Sequence, residues 1–154
     1  MVIQRWQSVM LLLVCALMGC FTFISLGQIQ TTDFTFNFTT LGFFSEGNPT
    51  NGTQPVDVST WWYFAISLTS AILPLIAIFC FKNLRLQRRL CLVEVLFILA
   101  VAAVGAILGY TVIDGTIGWS STIIAPLLAF ILTVWAYRLI GADAKKIASA
   151  NRFY

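Results

Sequence analysis

One acid of this sequence, Glu94, falls well inside a long apolar run, and it is the side chain best placed to do chemistry. Taking an ionisable group into lipid costs at least ~2–3 kcal/mol at the centre of the bilayer, so its presence there asks for a reason. Four cations, Arg5, Arg88, Arg89 and Arg138, are expected at the same membrane level about one helical turn away. An ion pair with one of them is the first reading of Glu94, and proton relay or substrate contact is its rival. Ser67, Thr69, Ser70 and Thr133 also lie in apolar runs. They are read as hydroxyls bonded to carbonyls of their own helices, since no His or Lys base can accompany them at that depth. The chain has no histidine, which removes the commonest general base and metal ligand. No metal-ligand cluster, paired carboxylates or phosphate-cradling glycine loop is present. The sequence therefore predicts a non-enzymatic protein with no catalytic residue, no cofactor and no metal.

The elements that would hold Glu94 follow from hydropathy and charge. The chain has 154 residues, of which 59% are hydrophobic and only 10% charged. Soluble domains are about a quarter charged, so the shortfall argues for lipid as the solvent. Four apolar runs, 6–26, 61–81, 90–113 and 119–140, are each long enough to span a hydrocarbon core. The first run resembles a secretory signal, and Leu17-Met18-Gly19-Cys20 resembles a lipoprotein acylation motif. The apolar stretch continues past Cys20, so a retained helix is the better reading. Trp61, Trp62 and Tyr63 open the second run as an interfacial aromatic belt. Pro74 lies inside the second run and Pro126 inside the fourth, where a missing backbone N–H kinks a helix. Cys15, Cys20, Cys80 and Cys91 are in or beside apolar runs and read as small buried thiols, not as a disulfide framework.

Charge sets the threading. The segment 82–89, Lys-Asn-Leu-Arg-Leu-Gln-Arg-Arg, holds four of the nine basic residues and reads as a cytoplasmic turn joining two helical hairpins. With both termini inside, all nine Lys and Arg face the cytoplasm and four of the six acids, Asp33, Glu46, Asp57 and Asp114, face outward. The expected fold is an all-α membrane protein. It is a four-transmembrane-helix bundle of two hairpins in a bacterial inner membrane, with an external loop 27–60, a tight turn at 114–118 and a polar cytoplasmic tail 141–154 ended off by Gly141. Lys82, Arg85, Arg88 and Arg89 are placed to meet anionic lipid headgroups, at roughly 1 kcal/mol each. Nucleic acid is not an expected partner.

The external loop carries a β-like signal. Residues 33–39 alternate strictly, with Phe34, Phe36 and Phe38 on one face. Glu46-Gly47-Asn48-Pro49 and Asn51-Gly52 are turn signals, and Val56 and Val58 suit a return strand. A lone hairpin is marginal in water, so the Phe face must lie on the bundle's outer end, on lipid, or on a partner subunit. Ala102, Gly105 and Gly109 form a small-residue stripe on the third helix, suited to close packing within the bundle or against another chain. Ile72-Leu73-Pro74-Leu75 resembles Ile124-Ala125-Pro126-Leu127, and Ile3-Gln4-Arg5 resembles Leu86-Gln87-Arg88, which together suggest a duplicated hairpin.

The opening Met1-Val2-Ile3-Gln4-Arg5-Trp6-Gln7-Ser8, the segment Leu84-Arg85-Leu86-Gln87-Arg88-Arg89-Leu90-Cys91, Pro126-Leu127-Leu128-Ala129 and the closing Asp143-Ala144-Lys145-Lys146 carry a wider resemblance. The chain resembles a family of small four-span inner-membrane proteins of Bacteroidota known as a domain of unknown function. That resemblance implies a host and a membrane, and no catalytic residue. The expected function is an accessory or assembly subunit of a larger inner-membrane complex, bound through its helices and the Phe-rich loop. A small transporter or channel built from the repeat, with the two prolines flanking a midplane site, is the alternative. An anionic-lipid-binding protein is the third reading.

Overall fold

The computed structural model describes residues 2–32, 34–46, 56–80 and 83–150, with the side chains of 2–5, 147, 148 and 150 outside that description. Four helices form the body: α1 (Val2–Phe23), α2 (Trp61–Phe79), α3 (Leu84–Thr111) and α4 (Ala125–Ala150). Each is long and apolar enough to cross a membrane. They pack in a closed square, α1 against α2 and α4, and α3 against the same two, while the diagonal pairs barely touch. The surface of this square is rich in large apolar side chains, and its mostly apolar middle also holds polar ones. Leu12, Leu13, Ile76, Leu96, Leu99, Ile107, Leu128 and Ile131 point outward, while Ser67, Ser70, Glu94 and Thr133 are buried. A water-soluble bundle has the opposite arrangement, and this one suits hydrocarbon.

The β-like external loop expected at one end of the helical bundle is a small sheet that also takes in the second external connection. Five short strands, β1 (Gly27–Gln30), β2 (Thr35–Thr39), β3 (Gly42–Glu46), β4 (Val58–Ser59) and β5 (Thr116–Trp119), form one antiparallel sheet in the order β4-β3-β2-β1-β5. The alternation at 33–39 does mark a strand, β2. Its neighbours are β1 and β3, and the segment holding Val58 pairs with β3 instead. The turn expected at 114–118 lies partly in β5, which crosses to pair with β1, residue for residue from Gly27↔Trp119 to Gln30↔Thr116. Both external connections are thereby tied into one cap. Ser120 N–H donates to the Leu26 carbonyl at 2.9 Å, and Leu26 N–H to the Phe38 carbonyl at 2.8 Å, so the cap is fastened at the point where α1 ends. The turn signals at 47–52 lie outside the described residues.

The helix ends also differ from the expected spans. Asn83 caps α3, its Oδ1 accepting from the Leu86 N–H at 3.3 Å, so residues 84–89 are helix and not turn. Gly141 does not end α4, which runs on through the expected tail to Ala150. Pro126 stands in the first turn of α4, after a 3₁₀ turn at Ser121–Ile124, where an N–H would have had no partner anyway. Pro74 stands well inside α2. The two proline segments that look alike in sequence thus sit at different positions along their helices, one hairpin has four strands and the other one, and a midplane site flanked by both prolines does not form.

Candidate functional site

The inward face of α2 is set by spacing. Thr60, Tyr63, Ser67 and Ser70 recur at three- and four-residue intervals and all four are buried, which puts one line of hydroxyls inside the bundle. The inward face of α3 holds Gln87, Cys91, Glu94, Ile98, Val101, Gly105 and Gly109 in the same rhythm. The polar part of α2 is therefore its half nearest the sheet, and the polar part of α3 is its half nearest the basic end. The two stripes meet where the Ser70 hydroxyl donates to Glu94 Oε1 at 2.9 Å.

Other hydroxyls extend the line towards the sheet. The Thr22 and Ser67 hydroxyls are 2.8 Å apart, and Thr22 also donates to the Met18 carbonyl at 2.7 Å. The Thr40 hydroxyl donates to the Thr22 carbonyl at 2.6 Å, and the Thr60 hydroxyl to the Thr40 carbonyl at 3.2 Å. Tyr63 reaches across to α3 and donates to the Val101 carbonyl at 3.1 Å. At the far end, buried Gln7 of α1 donates to the Asp143 carboxylate of α4. Buried polar side chains thus occur from the sheet to the basic end, with Glu94 between.

Glu94 is 1% exposed, and its second oxygen, Oε2, has no hydrogen-bond partner. Among the described side chains no cation pairs with it, so the expected ion pair is not made by Arg88, Arg89 or Arg138. Arg88, Arg89 and Arg138 are exposed, and Arg88 lies over the Tyr137 ring at 4.6 Å. The side chain of Arg5 lies outside the described residues. The reason is depth. Because α3 starts at Leu84, Glu94 is its eleventh residue, nearly three turns inside the helix, and Arg88 and Arg89, about one and a half turns before it, are on exposed positions. Its partner Ser70 is the tenth of the nineteen residues of α2, about 14 Å from either end at 1.5 Å per residue. Pro74 deepens the polarity there, since it has no N–H to give the Ser70 carbonyl four residues earlier.

The apolar core divides at the same level. One buried cluster includes Met18, Ala71, Ile98 and Ala129; the other includes Leu11, Ala77, Cys91, Ala136 and Ile140. Glu94 lies between Cys91 and Ile98, and Thr133 between Ala129 and Ala136. A polar layer separates two dry ones.

The remaining candidates fall elsewhere. Phe36 and Phe38 are buried on the bundle side of the sheet, and Phe34 packs partly against the same cluster, so they are not a free partner surface. Phe38 stacks on Phe43 with ring centroids 4.5 Å apart. Gly105 and Gly109 face inward: an added Cβ would come within 2.4 Å of the Tyr63 hydroxyl or 2.7 Å of the Trp119 ring. Of the two readings of the stripe, close packing within the bundle is the one that Gly105 and Gly109 fit. Ala102 is on the outside of α3 and lines an apolar cleft of about 40 Å³ with Phe21, Trp119 and Pro126. Arg85, Arg88 and Arg89, with Leu92 and Tyr137, line a cleft of about 280 Å³ at the basic end, while Lys82 lies outside the described residues. Thr69 and Thr133 donate to carbonyls of their own helices as expected, at 2.8 and 2.7 Å, whereas Ser67 and Ser70 bond across helices instead. Thr22, Gln7 and Asp143 were not read from the sequence as site residues, and Tyr63, expected in the interfacial aromatic belt with Trp61 and Trp62, is fully buried instead; the 60-63-67-70 interval was the available signal for it. No group of three or more His, Cys, Asp or Glu able to hold a metal occurs among the described residues.

A comparison with curated proteins gave no match. A family profile matches residues 3–153, nearly the whole chain, and its description is a domain of unknown function, DUF4293. The chain belongs to the DUF4293 family.

Proposed function

We propose that this protein is a non-enzymatic accessory or assembly subunit of a larger bacterial inner-membrane complex, to which it contributes a polar path through a sealed bundle. Both termini lie in the cytoplasm in this reading, because that puts all nine Lys and Arg on one side. The resemblance to Bacteroidota proteins supports the host. The observation that carries the reading is the series of polar side chains from buried Thr40 to half-buried Asp143, crossing from α2 to α3 at Ser70 and Glu94. Buried polar groups in a membrane bundle are costly, and a packing role alone would be met by Ala or Leu. The two clefts lie outside this line, so the bundle suits a proton better than a solute and needs a second protein to couple to. Partner contacts then fall on the outward helix faces and on β5, whose far edge is unpaired in the sheet.

A lone transporter or channel is the second reading, favoured by the same polar line. The arginine cleft supports a third element, an anionic lipid phosphate held at the cytoplasmic face. Purification of the tagged protein from its native membrane in mild detergent tests the subunit reading. Stoichiometric recovery of a larger membrane complex is expected. A lone monomer or dimer would overturn it in favour of the transporter.

A further inference from the structure

We propose that Glu94 is a proton-binding site, loaded and unloaded at Oε2 while Ser70 holds Oε1. This deepens the polar-path reading and rests on it. Three observations of geometry converge. The carboxyl is 1% exposed, so water does not solvate it. Oε2 has no hydrogen-bond partner although Oε1 has one. The carboxyl lies level with the middle of α2, where lipid surrounds the bundle. A carboxylate denied water and a cationic partner must be neutralised, and a bound proton does this with the fewest further ligands. A metal ion would need several more oxygens than Glu94 and Ser70 provide.

The surroundings suit exchange at one oxygen. From α2, Ser70 donates to Oε1 and so fixes the carboxyl plane, leaving Oε2 as the exchangeable position. On α3 the buried Cys91 stands one turn away, and α1 carries the half-buried Cys15. On α4 the residue at this level is Thr133, whose hydroxyl is already given to Ala129. The nearest described charges lie towards the basic end: Arg88 and Arg89 on α3, Arg138 and Asp143 on α4. Among the described groups, none at the level of Glu94 is a permanent charge. In the exchange an O–H bond forms at Oε2 as a hydronium ion that enters the polar layer transiently gives up its proton and leaves as water. The same bond breaks when an entering water takes the proton back as hydronium, and nothing is oxidised or reduced.

The test is infrared difference spectroscopy of the full-length protein in lipid, stepping the buffer pH in sodium and then in choline salts. A carboxyl C=O band that appears and disappears with pH is expected. It should be lost in Glu94→Gln, shifted in Ser70→Ala and identical in the two salts. Ser70→Ala keeps the test alive if Glu94→Gln does not fold. A carboxyl band that never changes with pH, or no band assignable to Glu94, would overturn the site. A band that follows sodium at fixed pH would overturn it in favour of a metal cation. None of these outcomes depends on whether a partner complex is recovered, so the subunit reading can fail separately.

Discussion

The two apolar clusters of the bundle are built differently. The cluster under the sheet is made of large rings and chains: Phe36, Phe38, Phe43, Tyr63 and Met18, with Trp119 packed against it. Strand register holds them, since Phe38 pairs directly with Phe43 and Ile29 with Phe36. The cluster at the basic end is small and short-chained: Leu11, Ala77, Cys91, Ala136 and Ile140. Rings locked by a sheet make an anchor that has one arrangement. Short side chains beside a polar layer leave room for adjustment. The contrast puts the rigid end at the cap, and the adaptable end beside Glu94 and the arginine cleft.

The largest expected effect breaks the anchor. Phe38→Ala should cost about 3–5 kcal/mol, and Leu11→Ala in the opposite cluster should fall at the low end of the usual range of about 2–5 kcal/mol, because an adaptable site collapses around the loss. Unfolding of both variants in detergent would measure the difference, and an equal or greater loss at Leu11 would erase the contrast. Next comes Gly105→Ala. The new methyl meets the Tyr63 hydroxyl, which is fully buried and bonded to Val101, so about 1–3 kcal/mol should be lost. Gly19→Ala is the control: nothing lies within 4 Å of its added Cβ, and the gain in helix propensity, up to about 1 kcal/mol, should show as a higher melting temperature. The smallest effect is at the adaptable end. Gln7→Ala removes the bond to Asp143 and should cost about 1 kcal/mol in the same unfolding assay.

Much of this was legible in residue order. Hydropathy and the one-sided charge mark four membrane-length helices, and the alternation of Phe34, Phe36 and Phe38 marks β2. The pairing of β1 with β5 was not legible, because Gly27–Gln30 and Thr116–Trp119 are four-residue segments 86 or more positions apart, as the Thr116–Gln30 contact shows. Their register depends on the helices between them. Gly141 misled because a single glycine weakens a helix without ending it, and here no close approach requires one, the Arg88 guanidinium being in ordinary contact distance, 3.7 Å, of its would-be Cβ. The pairing of Glu94 with Ser70, and not with an arginine, depended on where α3 begins. Asn83 signals that start as an N-cap, six positions before the expected span. Once α3 is extended by those residues, Glu94 lies deeper in the helix at the level of Ser70, on the buried face, while Arg88 and Arg89 are on exposed positions of the same helix.

The central claim is that Glu94 is a neutralisable acid at mid-depth in a lipid-enclosed bundle. Treating the protein in native lipid with a membrane-soluble carbodiimide and with a water-soluble one, then mapping the adducts by mass spectrometry, tests it most directly. Carbodiimides attack the protonated carboxyl. The account predicts that the membrane-soluble reagent modifies Glu94, that the water-soluble reagent does not, and that Glu94→Gln abolishes the adduct. Modification of Glu94 by the water-soluble reagent, or none by the lipid-soluble one at any pH, would contradict it.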